Sequence, residues 1–160
     1  MFELEYMKLR GTAHVPNRAH PADAGLDLAT EHRITLGVRQ RHLASTGVAV
    51  AIPENCVGLV NPRSGLGTKG VTVVNAPGTI DAGYRGEVFV NLINLGDPPV
   101  TLDAGQRIAQ LLIVPIIIPA LRDVDFFTTA GDRGTNGHGS TDHQLPGQLT
   151  IDDLEGPANV

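Results

Sequence analysis

The sequence has a single cysteine, no long hydrophobic run and no excess of positive charge. One cysteine excludes an internal disulfide, and the strand-like surroundings of Cys56 indicate a small buried hydrophobic side chain rather than a reactive thiol. The longest apolar run, residues 111–118, is far too short for a transmembrane helix and contains a proline. Residues 1–6 carry acidic side chains where a secretory signal needs basic ones, so we expect a cytoplasmic protein.

The net charge of −5 argues against broad, non-specific nucleic-acid binding, because such binding requires a basic surface. It does not argue against a nucleotide ligand. A triphosphate needs only a few well-placed cations and backbone N–H groups, with a metal ion sharing the charge. His14, His20, His32 and His42 form no ligand cluster, and we interpret them as surface or loop residues.

Turn residues separate the chain into short apolar segments, since 19 glycines and 11 prolines are spread over 160 residues. The spacing of these segments, roughly 8–12 residues, is typical of all-β folds. We expect strands near residues 2–9, 25–29, 41–52, 56–61, 71–75, 79–83, 87–94, 98–102 and 107–118. The only helical turn expected is at residues 64–69, where glycines keep it short. The pattern predicts one domain, most simply a β-sandwich or jelly roll.

The last expected strand, residues 107–118, is aliphatic on both faces, whereas a strand with one solvent-exposed face would alternate. Burial between two layers of the same chain explains this pattern, and burial against another subunit explains it equally well. The composition then becomes polar and rich in glycine. We therefore expect a domain of residues 1–122, followed by a flexible arm of residues 123–160.

Five polar motifs follow one another along the chain. They are Asp23-Ala-Gly-Leu-Asp-Leu28, Pro62-Arg-Ser-Gly65, residues 75–87, Gly105-Gln-Arg-Ile-Ala-Gln110, and Arg133-Gly-Thr-Asn-Gly-His-Gly-Ser-Thr141. The third motif has branched residues on both sides of Pro77-Gly78, which predicts a tight β-hairpin with a positive φ at its turn. In this order, the motifs resemble those of the trimeric deoxyuridine triphosphatases (dUTPases).

The resemblance implies a distorted jelly roll, a homotrimer whose active sites are shared between subunits, and Mg²⁺ as cofactor. It also implies that the protein hydrolyses dUTP to dUMP and pyrophosphate, limiting uracil incorporation into DNA and supplying dUMP for dTTP synthesis. By the same resemblance Asp81 is the base that activates the attacking water. From the residues alone, Asp81 beside glycine is equally an ordinary turn-capping aspartate.

The resemblance places the nucleoside against the third motif. Tyr84 would lie against the deoxyribose and exclude a 2′-hydroxyl, although an aromatic ring there is also an ordinary core element. The backbone would select uracil, because fixed N–H and C=O groups match its edge and leave unpaired polar groups with cytosine. The implied uracil-binding residues are Asn75, Gly78, Thr79, Ile80 and Phe89, and the Phe89 side chain is also compatible with a core position.

The remaining implied contacts concern the triphosphate and the metal. Asp27 would hold Mg²⁺ through water, with Asp23 as a weaker candidate. Arg63, Ser64 and Gly65 would bind phosphate, and Gln110 would donate to the α-phosphate. We interpret Arg107 as structural and leave the role of Lys69 open.

The fifth motif would close over the nucleotide as an ordered arm, with Arg133 pairing with the γ-phosphate and Gly139 and Ser140 adding donors. His138 stands where the family commonly has phenylalanine stacked over uracil; imidazole is also planar and can stack. From composition alone, this segment is a disordered tail. Residues 142–160 are either disordered or a short partner-binding segment.

Two other functions are compatible with the same fold. One is dCTP deamination, which the resemblance disfavours because Asn91 stands where that branch has its catalytic glutamate, and an amide cannot act as a general base. The other is a nucleotide-sensing or protein-binding module without hydrolysis. The presence of Asp27, Asp81 and Arg133 disfavours such a module, which would not need them.

Overall fold

The computed structural model describes residues 3–128. Within them the chain is almost entirely β-structure with one short helix. The strands are β1 (Glu5–Lys8), β2 (Leu26–Ala29), β3 (Ile34–Leu36), β4 (Arg41–Ala51), β5 (Cys56–Pro62), β6 (Val71–Val73), β7 (Gly78–Ile80), β8 (Glu87–Asn94), β9 (Val100–Leu102) and β10 (Arg107–Pro115), and the helix is α1 (Ser64–Gly67). The prediction of an all-β fold with one helical turn after Pro62 is confirmed.

The strands form two four-stranded sheets and a two-stranded sheet, all paired antiparallel. The orders are β1-β4-β8-β6, β2-β10-β5-β7 and β3-β9. Among the described strands, no two hydrogen-bonded neighbours are consecutive strands of the chain, as in a distorted jelly roll. The fold predicted from the resemblance is therefore confirmed.

The core lies between the sheets and consists of aliphatic side chains. β8 shows why its sequence forms a strand: Val88, Val90 and Leu92 alternate with more exposed residues, so one face is buried. The largest fully buried hydrophobic side chains are Leu28, Leu36, Leu92, Leu102, Ile108 and Leu111.

Only the first part of the aliphatic segment 107–118 is buried within the chain. Ile108 and Leu111 are buried inside the protomer. Beyond Pro115 the strand has ended, and Ile117 and Ile118 remain 91% and 69% exposed. The expected strand end at residue 118 is therefore wrong. The apolar segment after Pro115 is left exposed on a single chain.

The expected hairpin in the third motif is also wrong. The strands that flank it, β6 and β7, do not pair with each other: β6 pairs with β8 in one sheet, and β7 pairs with β5 in another. The Ala76–Pro77 peptide is cis, and Gly78 is buried at the start of β7 without a positive φ. The chain thus crosses between the two sheets at this motif.

Strand β3 was missed, since no strand was expected between residues 29 and 41. It is three residues long and pairs with β9, some 66 residues away along the chain. Four strands, β1, β6, β7 and β9, are shorter than predicted.

The sheet-forming unit ends at Pro119. No helix in residues 3–128 is long and apolar enough to cross a membrane. The predicted domain boundary at residue 122 stays a prediction.

Candidate active site

A polar cleft of about 500 Å³ brings together three of the five motifs. Its lining residues are Ala19, Asp23, Ala24, Gly25, Asp27, Arg63, Ser64, Gly65 and Gln110. The sheet explains this grouping, because β10 lies between β2 and β5. Gln110 is therefore directly opposite Asp27 on one side and Asn61 on the other. Residues distant in sequence are thus placed at one end of one sheet.

Asp27 is the electrostatic centre of the cleft. Arg63 Nε lies 2.8 Å from Asp27 Oδ1, and Arg107 Nη1 lies 3.0 Å from Asp27 Oδ2. The Asp27 side chain is only 13% exposed, so both pairs are partly shielded from water. Asp23 also lines the cleft, so two carboxylates balance the two guanidinium groups, and the guanidinium groups of Arg63 and Arg107 are the cations nearest to it.

The second and fourth motifs are fixed by packing around the cleft. Leu66 is buried and anchors the short helix, while Ser64 and Gly65 remain exposed at its start. Gln110 Nε2 donates to the carbonyl oxygen of Pro62 at 3.0 Å. A Cβ at Gly25 would lie 2.5 Å from Gln110 Oε1, so glycine is required for Gln110 to occupy this position. Sequence reasoning named Gln110 but did not identify Gly25.

The third motif continues from β7 into an exposed turn. Asp81 is exposed, and its carbonyl oxygen accepts a hydrogen bond from the Tyr84 backbone N–H at 3.0 Å. Tyr84 Oη donates to the carbonyl oxygen of Glu87 at 2.9 Å. A Cβ at Gly86 would lie 2.5 Å from Tyr84 Oη, so any larger residue at position 86 would clash with the Tyr84 ring. The ring is 44% exposed and is therefore not a core element.

The other expected nucleoside residues surround this segment. Asn75 and Thr79 are exposed, whereas Gly78 and Ile80 are buried. A Cβ at Gly78 would lie 3.3 Å from Asn75 Nδ2, so glycine keeps this approach open. Phe89, on β8 opposite Ser45, is 43% exposed, so its side chain is available at the surface rather than in the core.

Within one protomer, Asp81 and the phosphate cleft are far apart. In the antiparallel pair, Gly78 lies opposite Val60 and Ile80 opposite Gly58, so Asp81 follows the end of β7 that is farther from Arg63. Six residues of β5 and its continuation separate the level of Asp81 from Arg63, which corresponds to roughly 15–20 Å at about 3.3 Å per residue. The structure therefore does not bring the expected base to the expected phosphate site on the same chain.

Four predicted site residues lie outside the described residues: Arg133, His138, Gly139 and Ser140. Lys69 is exposed and does not line the cleft. Residues 3–128 contain no group of three or more histidine, cysteine, aspartate or glutamate side chains arranged to hold a metal ion.

The fold and the cleft together define an all-β protein with a polar cleft lined by aspartate, arginine, serine and glutamine side chains. The family model described as dUTPase matches residues 11–142. The chain is 50% identical over 145 residues to the deoxyuridine 5′-triphosphate nucleotidohydrolase of Mycobacterium sp. (strain JLS), covering 86% of this chain and 94% of that relative. It is 52% identical over 134 residues to the enzyme of the same name from Mycobacterium tuberculosis (strain H37Rv), covering 79% and 86%.

Solved structures are similar over the same region. A Staphylococcus bacteriophage 80alpha dUTPase with dUPNHPP has a TM-score of 0.83 and 32% identity, covering 88% of this chain and 98% of that chain. A dUTPase from phage phi11 of S. aureus, described for its coordination of a structural Mg(II) ion, has a TM-score of 0.76 and 30% identity, covering 80% and 100%. The chain belongs to the dUTPase family. The predictions of this family and of an enzyme are confirmed.

Proposed function

We propose that the protein hydrolyses dUTP to dUMP and pyrophosphate, with water attacking the α-phosphorus. This reaction would remove dUTP before uracil enters DNA and would supply dUMP for dTTP synthesis. The observation that carries the proposal is the cleft in which Asp27, Arg63, Ser64, Gly65 and Gln110 meet. Family membership and the chemistry of these groups both support it, since the cleft offers positive charge, a hydroxyl and an amide donor to a phosphate chain.

Phosphate binding requires Arg63 to exchange partners. In the described structure its Nε pairs with Asp27, and its Nη1 donates to the carbonyl oxygen of Arg107 at 3.3 Å. A phosphate oxygen in the cleft would compete for this guanidinium, while Arg107 continues to neutralise Asp27. Gln110 would turn its amide from Pro62 toward the α-phosphate. The substrate thus meets donors that are already held within reach.

Mg²⁺ is the proposed cofactor, and the donor set fits it. Asp27 supplies hard carboxylate oxygens at the cleft, and a magnesium ion normally keeps several waters and uses few protein carboxylates. Asp27 would therefore hold the hydrated ion, with Asp23 at the edge of the cleft. When bound, the ion would neutralise part of the charge of the triphosphate. Asp27 would keep its ion pairs with Arg63 and Arg107 until the hydrated ion and the substrate bind.

The third motif supplies the base and the nucleoside pocket in this proposal. The Asp81 carboxylate would accept a proton from the attacking water, a contribution of ~10²–10⁴-fold. Tyr84 would pack on the deoxyribose. The backbone around Asn75, Gly78, Thr79, Ile80 and Phe89 would read the uracil edge.

The distance between Asp81 and the cleft supports a homotrimer whose sites combine residues from different subunits. One chain separates the two regions by roughly 15–20 Å of strand. The exposed apolar residues Ile117 and Ile118 provide surface that a neighbouring subunit would bury. The arm of residues 123–160 would complete each site, with Arg133 on the γ-phosphate, Gly139 and Ser140 as donors, and His138 over the uracil.

Pyrophosphate release tests the proposal. The purified protein with Mg²⁺ is offered dUTP, dCTP, dTTP and UTP in parallel, and Asp81→Asn is assayed beside it. Asp103→Asn is the control, since Asp103 is an exposed aspartate whose partner, Arg33, is also exposed. We expect strong preference for dUTP, loss of turnover in Asp81→Asn and retention in Asp103→Asn. Ammonia release from dCTP, or tight dUTP binding without turnover, would contradict the proposal.

A further inference from the structure

An ion cluster joins Glu87, the last residue of the third motif, to Arg10 and the buried Glu31, and includes no predicted site residue. Arg10 bridges two carboxylates: its Nε donates to Glu31 Oε2 at 2.7 Å, and its Nη2 donates to Glu87 Oε2 at 2.6 Å. Thr12 Oγ1 donates to Glu31 Oε1 at 2.6 Å. Ser45 Oγ lies 2.6 Å from Glu31 and 2.5 Å from Glu87, and its single proton serves one of them at a time. We call these five residues the Arg10 cluster.

The cluster is held in one geometry by burial and charge. The Glu31 side chain is fully buried and that of Glu87 is 10% exposed, whereas the Arg10 side chain that they share is 45% exposed, so the carboxylates are shielded from water more than the guanidinium is. Hydrogen bonds from Arg10, Ser45 and Thr12 lower the pKa of Glu31 to about 2. Burial alone would raise the pKa of Glu87, but hydrogen bonds from Arg10, Ser45 and Gly47 lower it overall. Both carboxylates are thus ionised at neutral pH.

Gly47 adapts strand β4 to the cluster. Its φ is +68°, and the register of β4 against β8 shifts between Ser45 and Ala49. The Gly47 N–H donates to Glu87 Oε1 at 2.8 Å. A Cβ at this position would lie 2.6 Å from the Glu31 carboxyl carbon. The bulge at position 47 therefore requires glycine as long as Glu31 and Glu87 keep their positions.

Glu87 connects the cluster to the nucleoside pocket. Its carboxylate belongs to the cluster, and its backbone carbonyl oxygen accepts the hydrogen bond from Tyr84 Oη. Tyr84 in turn closes the turn through its N–H to the carbonyl oxygen of Asp81. Three consecutive contacts thus run from Arg10 to Glu87, from Glu87 to Tyr84, and from Tyr84 to Asp81. None of these contacts depends on a bound ligand.

We propose that the Arg10 cluster positions Tyr84 against the deoxyribose and so sets discrimination against ribonucleotides. Arg10, Glu31 and Glu87 are positioning residues, because they act through the carbonyl oxygen of Glu87 and touch no substrate. The inference rests on the proposed role of Tyr84 in dUTP hydrolysis. A ring displaced by even part of an ångström would admit a 2′-hydroxyl more easily. Such a displacement would affect UTP more than dUTP, because dUTP has hydrogen in place of the 2′-hydroxyl.

The test compares kcat/KM for dUTP and UTP in the full-length protein and in Arg10→Met. Methionine has a similar length but no charge and no donor. We expect the UTP-to-dUTP ratio of kcat/KM to rise roughly tenfold, with a smaller change in kcat for dUTP. Arg10→Lys keeps the charge and should restore part of the discrimination. Arg33→Met is the matched control, since it removes an exposed arginine from outside the cluster and should leave the ratio unchanged.

Two further variants separate the possible failures. Glu87→Gln keeps the shape and the carbonyl oxygen but loses the charge; if Arg10→Met does not fold, Glu87→Gln should show the same change in ratio, to a smaller extent. Tyr84→Ala tests the underlying role. An unchanged ratio in Tyr84→Ala would overturn the proposed role of Tyr84. A relaxed ratio in Tyr84→Ala with unchanged ratios in folded Arg10→Met and Glu87→Gln would overturn the positioning role alone.

Discussion

The phosphate cleft and the third motif are held in place by different means. In the cleft, the sheet registers place Asp27 and Gln110 directly, and Arg63 follows the end of a central strand. Asp81 and Tyr84 instead lie on an exposed turn, which is fixed by hydrogen bonds to its own backbone and to Glu87. Regular strands thus hold the groups that would meet the phosphate chain. A side-chain cluster behind the turn holds the groups that would meet the nucleoside.

This difference predicts different kinetic consequences for changes in the two regions. A change in the cleft should weaken binding of any nucleoside triphosphate, because phosphates are common to all of them. A change behind the turn should alter the choice of nucleoside.

Arg63→Ala should have the largest effect on the cleft. It removes a charged phosphate donor and leaves Asp27 paired with Arg107 alone. Hydrogen bonds to charged groups contribute about 1.5–3 kcal/mol, so kcat/KM for dUTP should fall roughly 10- to 100-fold. The UTP-to-dUTP ratio should stay unchanged, in contrast to Arg10→Met. Steady-state kinetics with both nucleotides measures this, and a changed ratio in Arg63→Ala would remove the distinction between the two regions.

Gly47→Ala should lower stability at the cluster. The positive φ and the predicted clash with Glu31 each oppose a side chain, so we expect the free energy of unfolding to fall by about 1–3 kcal/mol. Gly11→Ala is the matched control, because a Cβ there meets nothing within 4 Å and its φ is not positive. Denaturant unfolding of both variants measures the difference. Equal stability of the two would show that the bulge does not require glycine.

Acid stability should depend modestly on Arg10. The folded-state pKa of Glu31, about 2, lies below its ordinary value of 4.5. Its contribution to stability is therefore fully present above pH 4.5 and is lost as the pH falls from 4.5 toward 2. In Arg10→Met the two carboxylates lose their shared cation, their pKa values rise, and this part of the pH dependence should shrink. Denaturant midpoints between pH 2.5 and 6 measure it; an unchanged slope would mean that Arg10 does not set the pKa of Glu31.

Parts of the fold with strong local patterns could be predicted from the sequence. The bounds of β8 were predicted as residues 87–94, because its alternation of buried and exposed residues has a period of two. β3 was missed because three residues show too little alternation, and because its partner β9 is far away in sequence. The prediction of a hairpin in the third motif was wrong for a related reason. β-branched residues indicate strands but do not specify which strands pair.

The candidate site divides in the same way. The residue types of the cleft could be named from the motifs and their resemblance to the dUTPases. The pairing of Asp27 with both Arg63 and Arg107 could not, because it depends on registers between strands far apart in the chain. The Arg10 cluster joins residues up to 77 positions apart and has no local spacing that would reveal it. Only the folded structure shows that Glu87 belongs both to that cluster and to the contacts of Tyr84.

The most direct test of the account is complementation between two defective variants. Asp81→Asn keeps the phosphate cleft, and Arg63→Ala keeps the base, so each alone should have strongly reduced pyrophosphate release from dUTP. The two chains are co-expressed with different affinity tags and purified through both tags, which selects mixed assemblies. If each site combines Asp81 of one chain with Arg63 of another, a mixed trimer has one intact site in three, so the selected assemblies should recover about a third of the wild-type sites. Mixed assemblies with no recovered activity would contradict a site shared between chains.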